Sequence, residues 1–195
     1  MSQDQLQQVL NLIDEKNRQD PKTINSNGEE LTEELLYSQR MTAWLFKMET
    51  SPAAELQIAV RANHVGRWES PRTDYPEGRK GYLKWRTDLI QHHLQLTHQM
   101  MDQAGFGEAQ KQAVRKIMEK KHIKRDADCQ TYEDVICLVF LENYLADFYA
   151  AADIEEEKMV SIIQKTWHKM SAKGQEMALT IPFSAEALDL VKKAL

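Results

Sequence analysis

Cysteine is scarce in this chain. Its 195 residues include only Cys129 and Cys137, eight apart and in no CxxC pair. That excludes a disulfide framework and a cysteine-rich zinc site, and both residues read as cytosolic thiols. Long apolar runs are also missing. The longest, Val135 to Leu141, has seven residues, too few to cross a bilayer, so no membrane span is expected. Residues Met1 to Gln8 have neither a basic region nor an apolar core, so no secretory signal is expected there. No alternating apolar pattern marks a strand, and no internal repeat, low-complexity tract or domain linker stands out. The six histidines show no HxxxH or HExxH spacing, which argues against a metal site built on one helix. Net charge is -5, which opposes indiscriminate nucleic-acid binding.

What remains is helical and globular. Hydrophobic residues make up 42% and charged residues 28% of the chain, a composition that folds rather than stays disordered. A domain of this size buries roughly 70% of the surface its unfolded chain exposes, enough for a core without disulfides. The periodicity predicts an all-α fold, a single helical domain over residues 1–195 with seven or eight helices. Predicted helices cover 2–17, 29–49, 52–66, 81–104, 108–122, 131–151, 154–171 and about 184–194. Breaks fall at Asp20-Pro21 and at Asn25-Ser-Asn-Gly28. Ser51-Pro52 reads as an N-cap followed by proline at the first helical position. Helix 52–66 is apolar almost all round and is expected to be central. The run Lys120 to Arg125 reads as a cationic helix C-terminus.

The charge is unevenly distributed. Residues 61–86 hold seven basic and three acidic residues, a net +4, leaving -9 for the rest of the chain. The same segment has two of the five prolines, three of the seven glycines and two of the four tryptophans. A basic, aromatic-rich loop is therefore expected at about 67–80. One reading is a surface loop whose arginines satisfy local carboxylates. The sharper reading is an anion-binding loop, because arginine presents paired donors in a rigid fork.

Polar residues on apolar helices sharpen that expectation. Gln57, Arg61 and His64 form one polar stripe on helix 52–66, and Asp134 and Glu142 bracket the apolar run of helix 131–151. One explanation is a buried network that only balances charge. The other is a cationic mouth over a histidine–carboxylate floor. On the second reading His64, Asp134 and Glu142 are the candidate catalytic residues. Gln57, Arg61, Arg67, Trp68, Arg72, Tyr75, Arg79, Trp85 and Arg86 are the candidate ligand-binding residues. His64 is the one histidine placed on a helix expected to be buried.

Two stretches carry resemblances. Tyr37-Ser-Gln-Arg-Met-Thr-Ala-Trp-Leu45 and Glu55-Leu-Gln-Ile-Ala-Val-Arg-Ala-Asn-His-Val-Gly-Arg67 resemble the opening helices of HD-domain metal-dependent phosphohydrolases. That family reads His-Ser-x-Arg-Val and then Ala-x-x-His-Asp-Ile-Gly. The resemblance implies an HD-like helical core. Its metal ligands carry over poorly: Tyr37 stands for the first histidine, His64 matches the paired one, Val65 replaces the aspartate, and Ile136 falls at the last ligand position. A divalent metal in the usual HD arrangement is therefore not expected.

The second resemblance spans nearly the whole chain. It rests on Glu34 to Thr42, His64 to Arg72, Tyr75 to Arg86, Glu133 to Glu142 and Lys165 to Ser171. These resemble an uncharacterised bacterial and fungal family of unknown function, some members of which are labelled glutamyl-tRNA synthetase-like. Asn63-His-Val-Gly66 and Lys169-Met-Ser-Ala-Lys173 echo the ATP-binding motifs of class I synthetases. Those motifs need a parallel sheet, which the chain does not supply, so synthetase activity is not expected.

The resulting expectation is a cytoplasmic helical protein with a pocket for an anionic small molecule, phosphate- or nucleotide-like. A base could stack on Trp68, Tyr75 or Trp85. The alternatives are an active phosphohydrolase with a remodelled metal site, and a protein-interaction scaffold whose basic loop meets an acidic partner. No membrane or nucleic-acid partner is expected.

Overall fold

Ser2 opens the first helix with a capping box. Its hydroxyl accepts from the Gln5 N–H at 3.2 Å, and the Gln5 side chain accepts from the Ser2 N–H at 3.1 Å. Two orphan donors of the helix end are satisfied in this way. In the computed structural model, which describes residues 2–26, 28–151 and 155–195, the protein is all-α apart from one short hairpin. The chain separates into two compact units, Met1–Lys121 and His122–Leu195.

In the first unit α1 spans Gln3–Asn17, β1 Thr23–Ser26, β2 Glu29–Thr32, α2 Glu33–Met48, α3 Ala54–Arg61, α4 Gly78–Gln103 and α5 Glu108–Met118. The hairpin corrects the expectation of no sheet. Thr23 pairs with Thr32 and Ser26 with Glu29 in an antiparallel register. The sequence signal is the Asn-Gly dipeptide within Asn25-Ser-Asn-Gly28, read only as a helix breaker although such a dipeptide favours a two-residue hairpin loop. Gly28 sits at φ 85°, and its N–H donates to the Asn25 side chain at 3.1 Å.

α3 is the centre of this unit, as its all-round apolar sequence predicts. Ile58, Ala59 and Val60 are fully buried, and the helix packs against α1, α2 and α5. It is shorter than the expected 52–66. Ala53, not Ser51, is its N-cap, and the helix ends at Arg61. Beyond it the backbone runs in tight turns, with Val65 N–H bonding Ala62 C=O and Arg67 N–H bonding His64 C=O. Gly66 at φ 66° closes the turn. Two short 3-10 turns, Arg67–Glu69 and Arg72–Asp74, shape the basic segment. α4 then begins at Gly78, three residues earlier than predicted. Gly81 permits this: a Cβ there would stand 1.9 Å from the Pro76 carbonyl oxygen.

In the second unit α6 spans Ala127–Asn143, α7 Leu145–Ala151, α8 Glu156–Lys169, α9 Ala172–Ala178 and α10 Ala185–Ala194. The predicted helix 131–151 is two helices, broken at Tyr144. α6 starts earlier because Asp126 caps it, accepting from the Cys129 N–H at 3.0 Å. α10 packs on α8, and α6 packs on α8 and α9. Ser171, in the Lys-Met-Ser echo, is the N-cap of α9 and accepts from the Gly174 N–H at 3.0 Å. That motif is a helix start. Both cysteines are buried and unbridged. No helix among the described residues is long and apolar enough to cross a membrane.

Candidate functional site

The first unit gathers its unusual chemistry around the turn after α3. Glu34 lies in the first turn of α2 and is buried. His64 Nδ1 stands 3.2 Å from Glu34 Oε2. Arg67 NH1 approaches both ring nitrogens, 2.8 Å from His64 Nε2 and 3.3 Å from Nδ1, and Arg67 Nε stands 3.8 Å from Glu34 Oε1. The three side chains close a triangle.

Neighbours lock it in place. Tyr37 stacks on the His64 ring with centroids 3.9 Å apart and planes 9° from parallel. Asn63 donates to the Tyr37 hydroxyl at 2.7 Å. The Arg67 guanidinium lies over the Trp85 ring, 5.6 Å from its centroid. The indole N–H of Trp85 donates to the Ser70 carbonyl at 2.9 Å. One face of Arg67 is thus fixed, while 36% of its side chain remains exposed.

The electrostatics follow from this burial. Desolvation raises the Glu34 carboxyl to about 7; nearby Asp20 adds to the rise, and Arg67 and Lys22 oppose it. His64 is held well below its ordinary value, first by burial and then by the positive fields of Arg67, Arg86 and Lys120. His93, on α4, is 3% exposed. Its Nδ1 bonds the Val65 carbonyl at 2.7 Å, and burial, with His64 nearby, lowers it to about 3. The same turn is flanked by Glu69, which bonds Lys16 and lies 3.3 Å from His92 Nε2. Beside this turn, Asn17 Nδ2 and His93 Nε2 are buried without a hydrogen-bond partner among the described residues.

The sequence candidates divide sharply. Arg67, His64, Trp85 and the field of Arg86 converge. Arg61 is committed elsewhere: Nε and NH2 each donate to Asp14 at 2.6 Å, and NH1 donates to Thr42 at 3.1 Å. Arg72 donates to the backbone carbonyls of Tyr75 and Pro76, both at 2.9 Å. Gln57 donates to the Pro52 carbonyl at 2.8 Å. Trp68 and Tyr75 carry Lys16 and Lys84 over their rings. Arg79 is exposed. In the second unit, Asp134 is buried and accepts from the Ser171 N–H at 2.8 Å, the Ser171 hydroxyl and Gln130 at 2.9 Å. Glu142 is exposed and accepts from Asn143 at 3.0 Å.

Sequence reading missed Glu34 and His93. Both carried a signal. Glu34 is in helical phase with Ser38, Met41, Leu45 and Met48, all buried, so an acid stood on an apolar stripe. His93 is likewise in phase with Leu89, Thr97 and Met100. Among the described residues, no group of three or more His, Cys, Asp or Glu side chains could hold a metal ion. The residues present do not fit the metal that an HD resemblance implies.

Fold and site together define a helical protein whose larger unit holds a buried acid–imidazole pair beside a partly exposed arginine. The chain belongs to the family described as a domain of unknown function, DUF4202, matched over residues 7–191. Neither a curated protein nor a solved structure matches it.

Proposed function

We propose that the Met1–Lys121 unit binds a phosphate-bearing anionic small molecule between Arg67 and Arg86, over the Glu34–His64 floor. The observation that supports this reading is the state of Arg67. Its guanidinium is held against Trp85 and the His64 ring, yet its nearest carboxylate oxygen is 3.8 Å away. That carboxyl titrates at about 7, so near neutrality it compensates the arginine only in part. Arg86 and Lys120 add positive field at the same histidine. A fixed, incompletely compensated arginine fork suits a phosphate. Arg67 takes the role that a metal has in an HD-like scaffold, as a permanent cation against His64. Glu34 also gives the site a group able to give or take a proton near pH 7. Two buried cysteines that form no disulfide suit a cytoplasmic setting.

Calorimetric titration with inorganic pyrophosphate at low salt tests the proposal. Arg86→Ala is expected to weaken binding about tenfold. Arg67→Lys keeps the charge but loses the fork, and is expected to do the same. Binding too weak to detect at millimolar pyrophosphate, or unchanged in both variants, would overturn the proposal.

A further inference from the structure

The basic segment contains several aromatic rings, and most are already covered. Arg67 lies over Trp85, Lys84 over Tyr75 and Lys16 over Trp68. Tyr82 differs. It is 44% exposed and leans on Trp85 with centroids 5.9 Å apart and planes at 49°. Trp85 is itself anchored to the Ser70 carbonyl, so Tyr82 rests on a fixed base.

Tyr82 lies on α4 between Arg79, three residues before it, and Arg86, four residues after it. That spacing puts the three side chains on one helix face. All three are exposed. Neither arginine has a hydrogen-bond or ion-pair partner among the described residues. At 1.5 Å per residue, Tyr82 and Arg86 are separated by about 6 Å along the axis. The positive field of Arg86 reaches His64, and Arg67 sits on the ring that supports Tyr82. The aromatic platform and the cationic rim are therefore contiguous.

We infer that the anion is a nucleoside phosphate, with its base stacked on Tyr82 and its phosphates held by Arg86 and Arg67. This rests on the anion site proposed above. An exposed ring contributes stacking that tolerates any base, because every base has a π face. Bracketing arginines hold the charged end, and Arg79 bears on the sugar side of the same face.

The test compares ADP with pyrophosphate on the full chain and on two exposed-site variants. ADP is expected to bind at least tenfold more tightly than pyrophosphate. Tyr82→Ala should remove that advantage and leave the pyrophosphate affinity unchanged, whereas Tyr82→Phe should keep it, since the ring and not the hydroxyl stacks. Equal binding of ADP and pyrophosphate, with Tyr82→Ala silent, overturns the nucleoside inference and leaves the anion site standing. Failure of both ligands to bind overturns the anion site, and this inference with it. A short single-stranded RNA that outbinds ADP at equal phosphate concentration overturns the assignment to a mononucleotide.

Discussion

Glu34→Gln isolates the cost of one buried carboxyl. In the folded protein Glu34 titrates at about 7 rather than 4.5, and only 11% of its side chain is exposed. Between those two values the folded chain keeps a proton that the unfolded chain has released, so stability falls as pH rises through that window. Two and a half units correspond to about 3 kcal/mol, a net figure that already contains the opposing pull of Arg67. Glutamine keeps a hydrogen-bonding amide beside His64 Nδ1 and never ionises. The stability of Glu34→Gln relative to wild type should therefore rise by about 3 kcal/mol between pH 4.5 and pH 8. His64 and His93 act in the opposite sense. Their lowered values mean that the unfolded chain takes up protons first as pH falls below 6.5, so their contribution is lost on acidification. Both proteins share that loss, and it cancels in the difference. Urea titrations followed by tryptophan fluorescence suit the measurement, because Trp44, Trp68 and Trp85 all lie in the first unit. A difference between the two proteins that stays within 0.5 kcal/mol across the range would refute the reasoning.

Two further outcomes are expected. Arg61→Ala should cost about 3 kcal/mol in urea unfolding, because it strands Asp14 beside a paired contact in which the two side chains are only 14% and 17% exposed. A double-mutant cycle with Asp14→Ala should return a coupling of about 2 kcal/mol; coupling near zero would show that the pair is not held as described. Asp134→Ala should destabilise the second unit by about 3 kcal/mol, since it removes the acceptor for Ser171 N–H, Ser171 hydroxyl and Gln130. Asp134→Asn keeps an oxygen acceptor and should cost less. Amide exchange across α9 reads this directly, and unchanged protection in Asp134→Ala would count against it.

Some of this protein was legible in its sequence. Helical periodicity placed the core of α3 correctly, with Ile58, Ala59 and Val60 fully buried. Hydrophobic phase is a local property, and any window of residues records it. Ser184, at the start of the predicted last helix, does cap α10, because a cap is decided within one turn. The concentration of basic and aromatic residues over 61–86 is a property of composition alone, and family membership follows from order alone. Where the helices stop was less legible. Helix 52–66 ends at Arg61 because Gly66 takes a left-handed turn whose N–H bonds Asn17, far back in the chain.

Only the tertiary structure decided which cations remain available. Arg61, Arg67 and Arg72 look alike in the sequence, yet Arg61 is consumed by Asp14, 47 residues away, and Arg72 by two carbonyls of its own loop. Arg67 meets Glu34 across 33 residues, and the depth at which Glu34 is buried sets how far its charge is compensated. Coulomb energy and desolvation depend on distance and on displaced water, not on chain separation. Sequence marked the segment where charge gathers, but folding brought the carboxylates in from elsewhere and thereby sorted the fully paired Arg61 from the partly compensated Arg67.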